Sequence, residues 1–273
     1  MISVVVLTHN RLHLLRRCVE DVLLRTSELT SEIVIWDNAS GEDTATYLGT
    51  IDDARVRVVL HPENIGTNAY VRAFESTRSE YLVELDDDVI EAPPRWDATM
   101  LDAFRRIPKL GYLAANLRDD PNDSASQYIK YLREERHAYT AKVENGVRIL
   151  EGPTGGGCTM TSRALYDQVG GFRQQKLVFW HEDAAYVKDL HRLGYRSAVL
   201  EQLEVWHAGS PYYSEPSPAK LEFHDQRERI TARKDFVKRI ILALPFASAL
   251  NERYDWFDPP HRYEPPDFGK KPG

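Results

Sequence analysis

The sequence has few of the features that mark secreted, membrane-spanning or zinc-binding proteins. Only two cysteines, Cys18 and Cys158, occur in its 273 residues, and they stand in no metal-binding spacing. Both are expected to be buried thiols, which fits a reducing compartment. The chain opens directly on an apolar strand, without the basic region and cleavage site of a signal peptide. We therefore expect a cytoplasmic protein.

Long hydrophobic runs are also missing, since no apolar run could span a bilayer. The most apolar stretch, residues 240–247, is interrupted by Pro245 and preceded by Lys234, Lys238 and Arg239. A basic-flanked apolar helix of this kind can lie on a membrane surface. A core helix, or a helix between two copies of the chain, explains the pattern more often. Peripheral membrane contact and a homodimer are therefore both open alternatives.

An excess of basic residues and the common phosphate-binding motifs are absent as well. Lys and Arg number 35 against 42 for Asp and Glu, a formal net charge of -7, so the sequence has no overall signature of a nucleic-acid-binding protein. Neither GxGxxG nor GxxxxGK[ST] occurs. A classical dinucleotide-binding fold and a P-loop are therefore not supported.

The first half of the chain alternates between apolar strands and amphipathic helices. The predicted strands are residues 3–7, 32–36, 56–60 and 81–85. This alternation predicts an α/β fold in which helices cover a parallel sheet. Ligands in such sheets bind beyond the carboxyl ends of the strands. Polar residues follow each strand there, which predicts one composite pocket.

Three consecutive carboxylates follow the fourth predicted strand. Because strand residues point alternately to opposite faces, Asp86 and Asp88 should leave the strand on one side and Asp87 on the other. Like charges so close repel one another unless a cation lies between them. A hard divalent ion such as Mg²⁺ or Mn²⁺ suits carboxylate ligands. From these residues alone, a solvated acidic turn is an equally good interpretation.

The second half is less regular. Residues 110–115 are predicted to form a strand, and Asn145-Gly146 predicts a hairpin turn. The glycines at 155–157 either let the backbone pass close to a ligand or make a tight turn. Glu182 and Asp183 stand before a predicted helix, where either could simply cap it.

Taken in order, these motifs resemble those of family 2 nucleotide-sugar glycosyltransferases with the GT-A fold. The resemblance covers about residues 1–210 and is carried by Thr8-His9-Asn10-Arg11, Asp37-Asn38-Ala39-Ser40, Asn64-Ile65-Gly66-Thr67-Asn68, Asp86-Asp87-Asp88, Gly170-Gly171-Phe172, Glu182-Asp183 and His207. It implies a Rossmann-like, mostly parallel central sheet flanked by helices. The implied glycosyltransferase domain is 1–215, with a nucleotide-sugar-binding half at 1–115 and an acceptor and catalytic half at 116–215. A helical extension and tail would follow at 216–273.

The resemblance also implies a donor site that binds a nucleoside-diphosphate sugar. Asp37 would accept a hydrogen bond from the base, which favours a UDP-sugar without excluding a GDP-sugar. Asp88 and His207 would hold Mn²⁺ or Mg²⁺. The implied donor-binding residues are Thr8, Asn10, Arg11, Asp37, Asn38, Asn64, Gly66, Asn68, Asp86 and Asp87.

Asp183 would be the general base, and Glu182 would bind donor or acceptor hydroxyls. Trp180, Gly156 and Gly157 would contact the acceptor, whose identity the sequence leaves open. Direct displacement would invert the anomeric centre, although retaining GT-A enzymes share much of this scaffold. A nucleotide-sugar-binding scaffold without turnover is the second alternative. A nucleotidyltransferase is a third, but the first loop lacks the glycines and basic residues that such enzymes use for a triphosphate.

Overall fold

The computed structural model describes residues 1–118, 133–134, 137–173 and 182–208, with isolated positions between 229 and 247. Strand and helix alternate through the first half of this region, as predicted. The elements are β1 (Ile2–Thr8), α1 (Leu12–Arg25), β2 (Thr30–Asn38), α2 (Glu42–Leu48), β3 (Val56–His61), α3 (Asn68–Glu75) and β4 (Tyr81–Asp86).

The second half of the described region contains shorter and more varied elements. They are β5 (Val89–Ile90), α4 (Trp96–Arg106), β6 (Leu110–Arg118), β7 (Thr140–Glu144), β8 (Val147–Glu151), β9 (Cys158–Ser162), α5 (Arg163–Val169), α6 (Glu182–Arg192) and β10 (Arg196–His207). The predicted turn joins β7 to β8, and positive φ angles of 47° at Asn145 and 77° at Gly146 are those of a type I′ hairpin.

All ten strands belong to one sheet, in which β3-β2-β1-β4-β9-β6-β10-β8-β7 are successive neighbours and β5 pairs with β10. The pairs among β1 to β4 are parallel, and so is the pair of β6 and β10. This confirms the predicted α/β fold with a mostly parallel central sheet. The sequence did not reveal β9, which runs antiparallel between β4 and β6.

Helices cover both faces of the sheet, as the apolar strands require. The side chains of β9 show this arrangement, because adjacent strand residues point to opposite faces. Cys158 Sγ lies 4.0 Å from Met100 Sδ on α4. Thr161 Oγ1 lies 2.9 Å from the hydroxyl of Tyr186 on α6. Helices α4 and α6 therefore pack against opposite faces of the same strand.

The predictions about the chain as a whole have different outcomes. Both cysteines are buried thiols, as expected. No helix among the described residues has the length and apolarity needed to cross a membrane. The predicted extension at 216–273 lies outside the described residues apart from the isolated positions. The helical character of this extension stays a prediction. Membrane contact, pairing between copies of the chain and a cytoplasmic location of the protein also stay predictions.

Candidate active site

The carboxyl ends of the parallel strands bring the predicted donor residues to one edge of the sheet. In the register of the strands, Thr8 at the end of β1 lies opposite Asp37 of β2. On the other side of β1, Leu7 lies opposite Asp86 of β4. Residues far apart in the sequence therefore meet where ligands bind in α/β sheets.

One group of side chains at this edge could hold a metal ion, and we call it the metal cluster: Asp86, Asp88 and His207. One ligand atom from each lies within 4.8 Å of the others. His207 Nε2 is 3.1 Å from Asp88 Oδ1 and 3.7 Å from Asp86 Oδ2. Asp86 and Asp88 thus converge on one point, as the strand alternation predicted.

Backbone pairing fixes the cluster in place. His207 at the end of β10 pairs with Val89 of β5, directly after Asp88. The amide of Ala208 donates a hydrogen bond of 2.9 Å to the Asp88 carbonyl. The hydroxyl of Tyr70 donates to Asp86 Oδ1 at 3.1 Å. Two carboxylates and one imidazole nitrogen form a donor set that fits Mn²⁺ or Mg²⁺.

Arg11 supports the metal cluster from behind. Its guanidinium contacts the carboxylates of both Asp87 and Asp88. Thr8 Oγ1 donates a 2.6 Å hydrogen bond to Asp87, which is fully buried. The structure places Thr8, Arg11 and Asp87 in contact with one another or with Asp88, and their predicted binding of the donor stays a prediction. A buried pair of carboxylates needs a nearby cation, and Arg11 supplies it.

The two buried aspartates, Asp87 and Asp88, have pKa values shifted in opposite directions. Burial raises the pKa of Asp87 to about 7, although Arg11 acts in the opposite direction. Burial also opposes ionisation of Asp88, but His207 and Arg11 outweigh it and hold the pKa of Asp88 well below its usual range. Asp88 is therefore the carboxylate that stays charged, as a metal ligand must be.

A second acidic group lies beside the first, and we call it the base cluster: Glu84, Glu182 and Asp183. Asp183 is in the first turn of α6, and both of its carboxylate oxygens accept hydrogen bonds from the backbone. Oδ2 accepts from the amide of Gly156 at 2.7 Å, and Oδ1 accepts from the amide of Ala184 at 2.6 Å. The orientation of this carboxylate is therefore fixed from two sides.

The glycines at 155–157 pass between the two clusters. A Cβ on Gly156 would lie 2.9 Å from Glu84 Oε1, and one on Gly155 would lie 3.3 Å from Asp183 Oδ2. Gly157 has a φ of 99°, and its Cβ would lie 3.8 Å from Asp86 Oδ2. A side chain at Gly156 would displace the Glu84 carboxylate, one at Gly155 would press against Asp183, and the positive φ at Gly157 favours glycine. The backbone therefore passes close to these carboxylates, and its predicted approach to a ligand stays a prediction.

Glu84 is the site residue that sequence reasoning missed. It precedes Asp86 by two positions on β4 and so shares its face. Its carboxylate accepts hydrogen bonds from the hydroxyls of Tyr112 at 2.9 Å and Thr159 at 3.4 Å. Burial and the charges of Glu182 and Asp86 raise its pKa well above the ordinary value. A lone Glu inside the apolar strand of residues 81–85 was the available signal.

Comparison with known proteins assigns the chain to a family. The sequence model described as "Glycosyl transferase family 2" matches residues 3–170. The chain belongs to glycosyl transferase family 2. A curated relative, the uncharacterized protein y4gI of Sinorhizobium fredii, is 26% identical over 268 residues. That match covers 88% of this chain but only 27% of the relative, so the chain spans about a quarter of that protein's length.

Three solved structures share the fold of this family 2 member. The mannosyltransferase PcManGT from Pyrobaculum calidifontis, in complex with GDP-Man and Mn²⁺, aligns with a TM-score of 0.57 at 19% identity, over 78% of this chain and 59% of that one. GalNAc-T7 with UDP, GalNAc and Mn²⁺ aligns with a TM-score of 0.59 at 18% identity, over 76% of this chain and 43% of that one. Residues 1–349 of Staphylococcus aureus TarS align with a TM-score of 0.54 at 16% identity, over 76% of this chain and 60% of that one. These likenesses show the GT-A fold.

The remaining residues that were predicted to bind the donor hold the loops after β2 and β3 together. Asp37 is buried, and its Oδ1 accepts from the amide of Ser40 at 3.1 Å. The Asn38 amide group donates to Asn64 Oδ1 at 2.8 Å and to the carbonyl of Gly66 at 3.1 Å. The loops after β2 and β3 are therefore joined directly.

Three other residues that were predicted to bind the donor or the acceptor lie elsewhere. Asn10 is exposed, and its Oδ1 accepts from the amide of Gly41 at 3.0 Å, so it ties the first loop to the start of α2. Asn68 begins α3 at the same edge. Trp180, the predicted aromatic contact for the acceptor, lies outside the described residues.

Proposed function

We propose that this chain is a metal-dependent glycosyltransferase that moves a sugar from a nucleoside-diphosphate sugar to an acceptor hydroxyl. The observation that carries the proposal is the position of the base cluster next to the metal cluster, with the glycines at 155–157 between them. One cluster suits a charged diphosphate, and the other offers a fixed carboxylate to accept a proton. The proposed domain is 1–215, with its donor half at 1–115, its acceptor half at 116–215, and an extension at 216–273.

In the proposed metal site, Asp88 and His207 are the main ligands and Asp86 faces the open side. The side chain of Asp86 is 29% exposed, whereas those of Asp88 and His207 are buried. The bound ion would be Mn²⁺ or Mg²⁺, and it would stabilise the charge that develops on the leaving diphosphate. The Mn²⁺ in the PcManGT and GalNAc-T7 complexes supports this choice.

The proposed donor pocket lies on the side of the metal cluster formed by β1, β2 and β3. Asp37 is placed to meet the base, with Asn38, Asn64 and Gly66 holding the wall around it. Thr8, Arg11 and Asp87 act through the metal cluster by fixing its geometry. The two similar complexes contain GDP-Man and UDP, respectively, so both nucleotides belong in the first experiment.

In the proposed reaction, the acceptor oxygen attacks the anomeric carbon while the bond from that carbon to the diphosphate oxygen breaks. The bonding electrons leave with the nucleoside diphosphate, and the acceptor proton passes to the Asp183 carboxylate. The backbone bonds from Gly156 and Ala184 hold the Asp183 carboxylate in a fixed orientation for this transfer. Attack opposite to the leaving group inverts the anomeric centre.

A thermal-shift panel of UDP, GDP, TDP and CDP, each with Mn²⁺ or with EDTA, tests the donor and metal sites. A nucleotide at about a hundred times its Kd adds ~2.7 kcal/mol to stability. For a chain of this size, we expect the midpoint to rise by roughly 5–10 °C with one nucleotide and Mn²⁺. The shift should disappear with EDTA. No shift with any nucleotide would contradict the donor pocket.

Turnover separates the enzyme from a binding scaffold. We expect slow hydrolysis of the nucleotide sugar that matches the stabilising nucleotide, and much less with Asp183→Asn. Binding without turnover in both proteins would favour a scaffold that has lost activity. With an identified acceptor, the anomeric configuration of the product measured by NMR separates inversion from retention.

A further inference from the structure

A cavity of about 580 Å³ opens at the carboxyl ends of β6 and β10, and we call it the β6–β10 cavity. Its volume lies in the range of small-molecule sites. The functions assigned above to the two clusters do not use it. Its polar and aromatic lining residues are Glu91, Asn116, Arg118, Arg133, Glu204 and Trp206.

The cavity lies next to the reacting centre. Asn116 and Arg118 line the cavity at the end of β6, the strand whose Tyr112 hydroxyl reaches Glu84. Leu117 also lines the cavity, and a Cβ on Gly157 would lie 3.7 Å from it and 3.8 Å from Asp86 Oδ2. The cavity and the metal cluster thus meet at the glycines of 155–157.

The sheet order places the cavity opposite the proposed donor pocket. Strands β3, β2 and β1 lie on one side of β4, while β9, β6 and β10 lie on the other. Asp37 belongs to the first group, whereas Asn116 and Trp206 belong to the second. A molecule in the β6–β10 cavity would therefore approach the metal cluster from the side that the nucleotide leaves open.

The two arginines of the cavity wall, Arg118 and Arg133, differ in whether a carboxylate lies beside them. Arg118 Nη1 lies 3.4 Å from Glu91 Oε2, and its guanidinium lies over the Trp206 ring at 5.6 Å. Its charge is therefore shared with a carboxylate and an aromatic face. Glu204, the other acidic residue of the wall, is exposed to solvent.

Arg133 differs from Arg118 in its partners. Its Nη2 donates to Asn116 Oδ1 at 2.9 Å, and its guanidinium lies 5.7 Å from the centre of the Tyr139 ring. Its Nε is buried and makes no hydrogen bond with any residue that the structure describes. No carboxylate among the described residues is within ion-pair distance of it. A buried charged donor left without an acceptor is unfavourable, so an anionic ligand would gain by supplying one.

We propose that the β6–β10 cavity binds the acceptor, and that this acceptor is a saccharide carrying a carboxylate or a phosphate group. The inference rests on the proposed function, because it names the second substrate of the same site. Arg133 would bind the anionic group, and the uncovered part of the Trp206 ring would contact the sugar. A local cation matters here because the chain as a whole carries a net charge of -7 and repels anions.

The test compares three probes on the 273-residue chain: glucuronic acid, glucose 6-phosphate and glucose. The protein is first saturated with Mn²⁺ and the nucleotide that stabilises it in the thermal-shift panel, and probe binding is then measured by ligand-observed NMR. We expect at least one anionic probe to bind about tenfold more tightly than glucose, as one charge-assisted hydrogen bond would give. The carboxylate and phosphate arms decide between the two anions.

Arg133→Gln and Arg95→Gln form the matched pair of variants. Arg95 is exposed and contacts Glu28 on the surface, so its replacement changes net charge equally without touching the cavity. We expect Arg133→Gln to bring the anionic probe to within about twofold of glucose, and Arg95→Gln to keep the preference. Both variants should keep the Mn²⁺-dependent nucleotide shift.

Each other outcome overturns a defined part of the account. Equal binding of all three probes, with the nucleotide shift intact, contradicts the anionic acceptor and leaves the proposed function in place. A preference that survives in Arg133→Gln contradicts the assignment to this cavity. If no nucleotide raises the thermal midpoint of the unmodified protein, the proposed function itself is contradicted, and the inference fails with it.

Discussion

The metal cluster and the base cluster are neighbours with a similar degree of burial but opposite electrostatic environments. Asp88 in the metal cluster contacts Arg11 and His207. In the base cluster, Glu84 instead accepts hydrogen bonds from hydroxyl groups. Within the described part of the chain, no basic side chain lies within ion-pair distance of Glu84 or Glu182.

This difference shows that burial alone does not decide whether a carboxyl group is charged. Burial favours the neutral form in both clusters. Two cationic neighbours reverse that effect for Asp88 and hold its pKa low. With acidic neighbours instead, burial raises the pKa of Glu84 and of Glu182 well above their usual range. The first arrangement suits a metal ligand, and the second favours the neutral form of the carboxyl groups beside the proposed base.

The largest expected effect comes from removing the base itself. Asp183→Asn should lower kcat by about 10³–10⁴-fold, because the amide cannot accept the acceptor's proton. Nucleotide binding should stay within about twofold, since the metal cluster is untouched. Steady-state kinetics and the thermal shift measure the two quantities. Asp167→Asn, at an exposed site on α5, is the control, and unchanged kcat in Asp183→Asn would contradict the assignment.

Loss of a metal ligand should have a somewhat smaller effect on turnover but should also change binding. Asp88→Asn is expected to lower kcat/KM by about 10²–10³-fold. Unlike Asp183→Asn, it should abolish the Mn²⁺-dependent part of the nucleotide shift. Asp102→Asn on the surface of α4 removes an equal charge as a control. A full Mn²⁺ response in Asp88→Asn would show that the ion binds elsewhere.

Removing the cation would make the metal cluster resemble the base cluster. Arg11→Met leaves Asp87 and Asp88 buried without their guanidinium, and we expect unfolding to become easier by about 3 kcal/mol. Urea denaturation followed by circular dichroism measures this change. Arg17→Met, on the exposed side of α1, should change stability by less than about 0.5 kcal/mol. Equal stabilities would mean that Arg11 does not compensate the aspartates.

The smallest expected effect concerns pH and the base cluster. The pKa of Glu84 is raised in the folded protein above its ordinary value of 4.5. The wild-type chain should therefore lose stability as pH rises above 4.5 toward the folded pKa, because the unfolded chain ionises first. Glu84→Gln lacks this loss, so its midpoint relative to wild type should rise between pH 5 and pH 8. Thermal melts at both values measure the difference.

The matched control for this pH effect is Glu80→Gln. The Glu80 carboxylate is exposed and lies 3.5 Å from the amino terminus of Met1. This variant should show little change in its midpoint relative to wild type between the two pH values. A Glu84→Gln difference that stays constant, or that falls with rising pH, would contradict the raised pKa.

The parts of this site that follow from local sequence were predictable. Asp86 and Asp88 lie together as predicted, although β4 ends at Asp86 and residues 87–88 form a turn, and the polar residues after each strand gathered at one edge. Contacts between distant residues were not predictable in this way. Glu84 meets Tyr112 only because β9 inserts between β4 and β6, and the short polar run of β9 gave no strand signal.

Arg11 shows the same limit from another direction. Its place in the first loop suggested a contact with the nucleotide, which stays a prediction, but did not suggest its contacts with Asp87 and Asp88, more than 70 residues away. The charge balance of a buried site depends on all the groups that fold around it. A sequence motif names those groups one at a time and does not show which of them will pair.

The most direct test of the account is calorimetric titration of Mn²⁺ with the stabilising nucleotide into wild type, Asp88→Asn and Asp183→Asn. The account assigns metal binding to one cluster and proton transfer to the other. It predicts that Asp183→Asn binds as wild type does, while Asp88→Asn binds at least about tenfold more weakly. Equal loss of binding in both variants, or wild-type binding in Asp88→Asn, would contradict the separation of the two clusters.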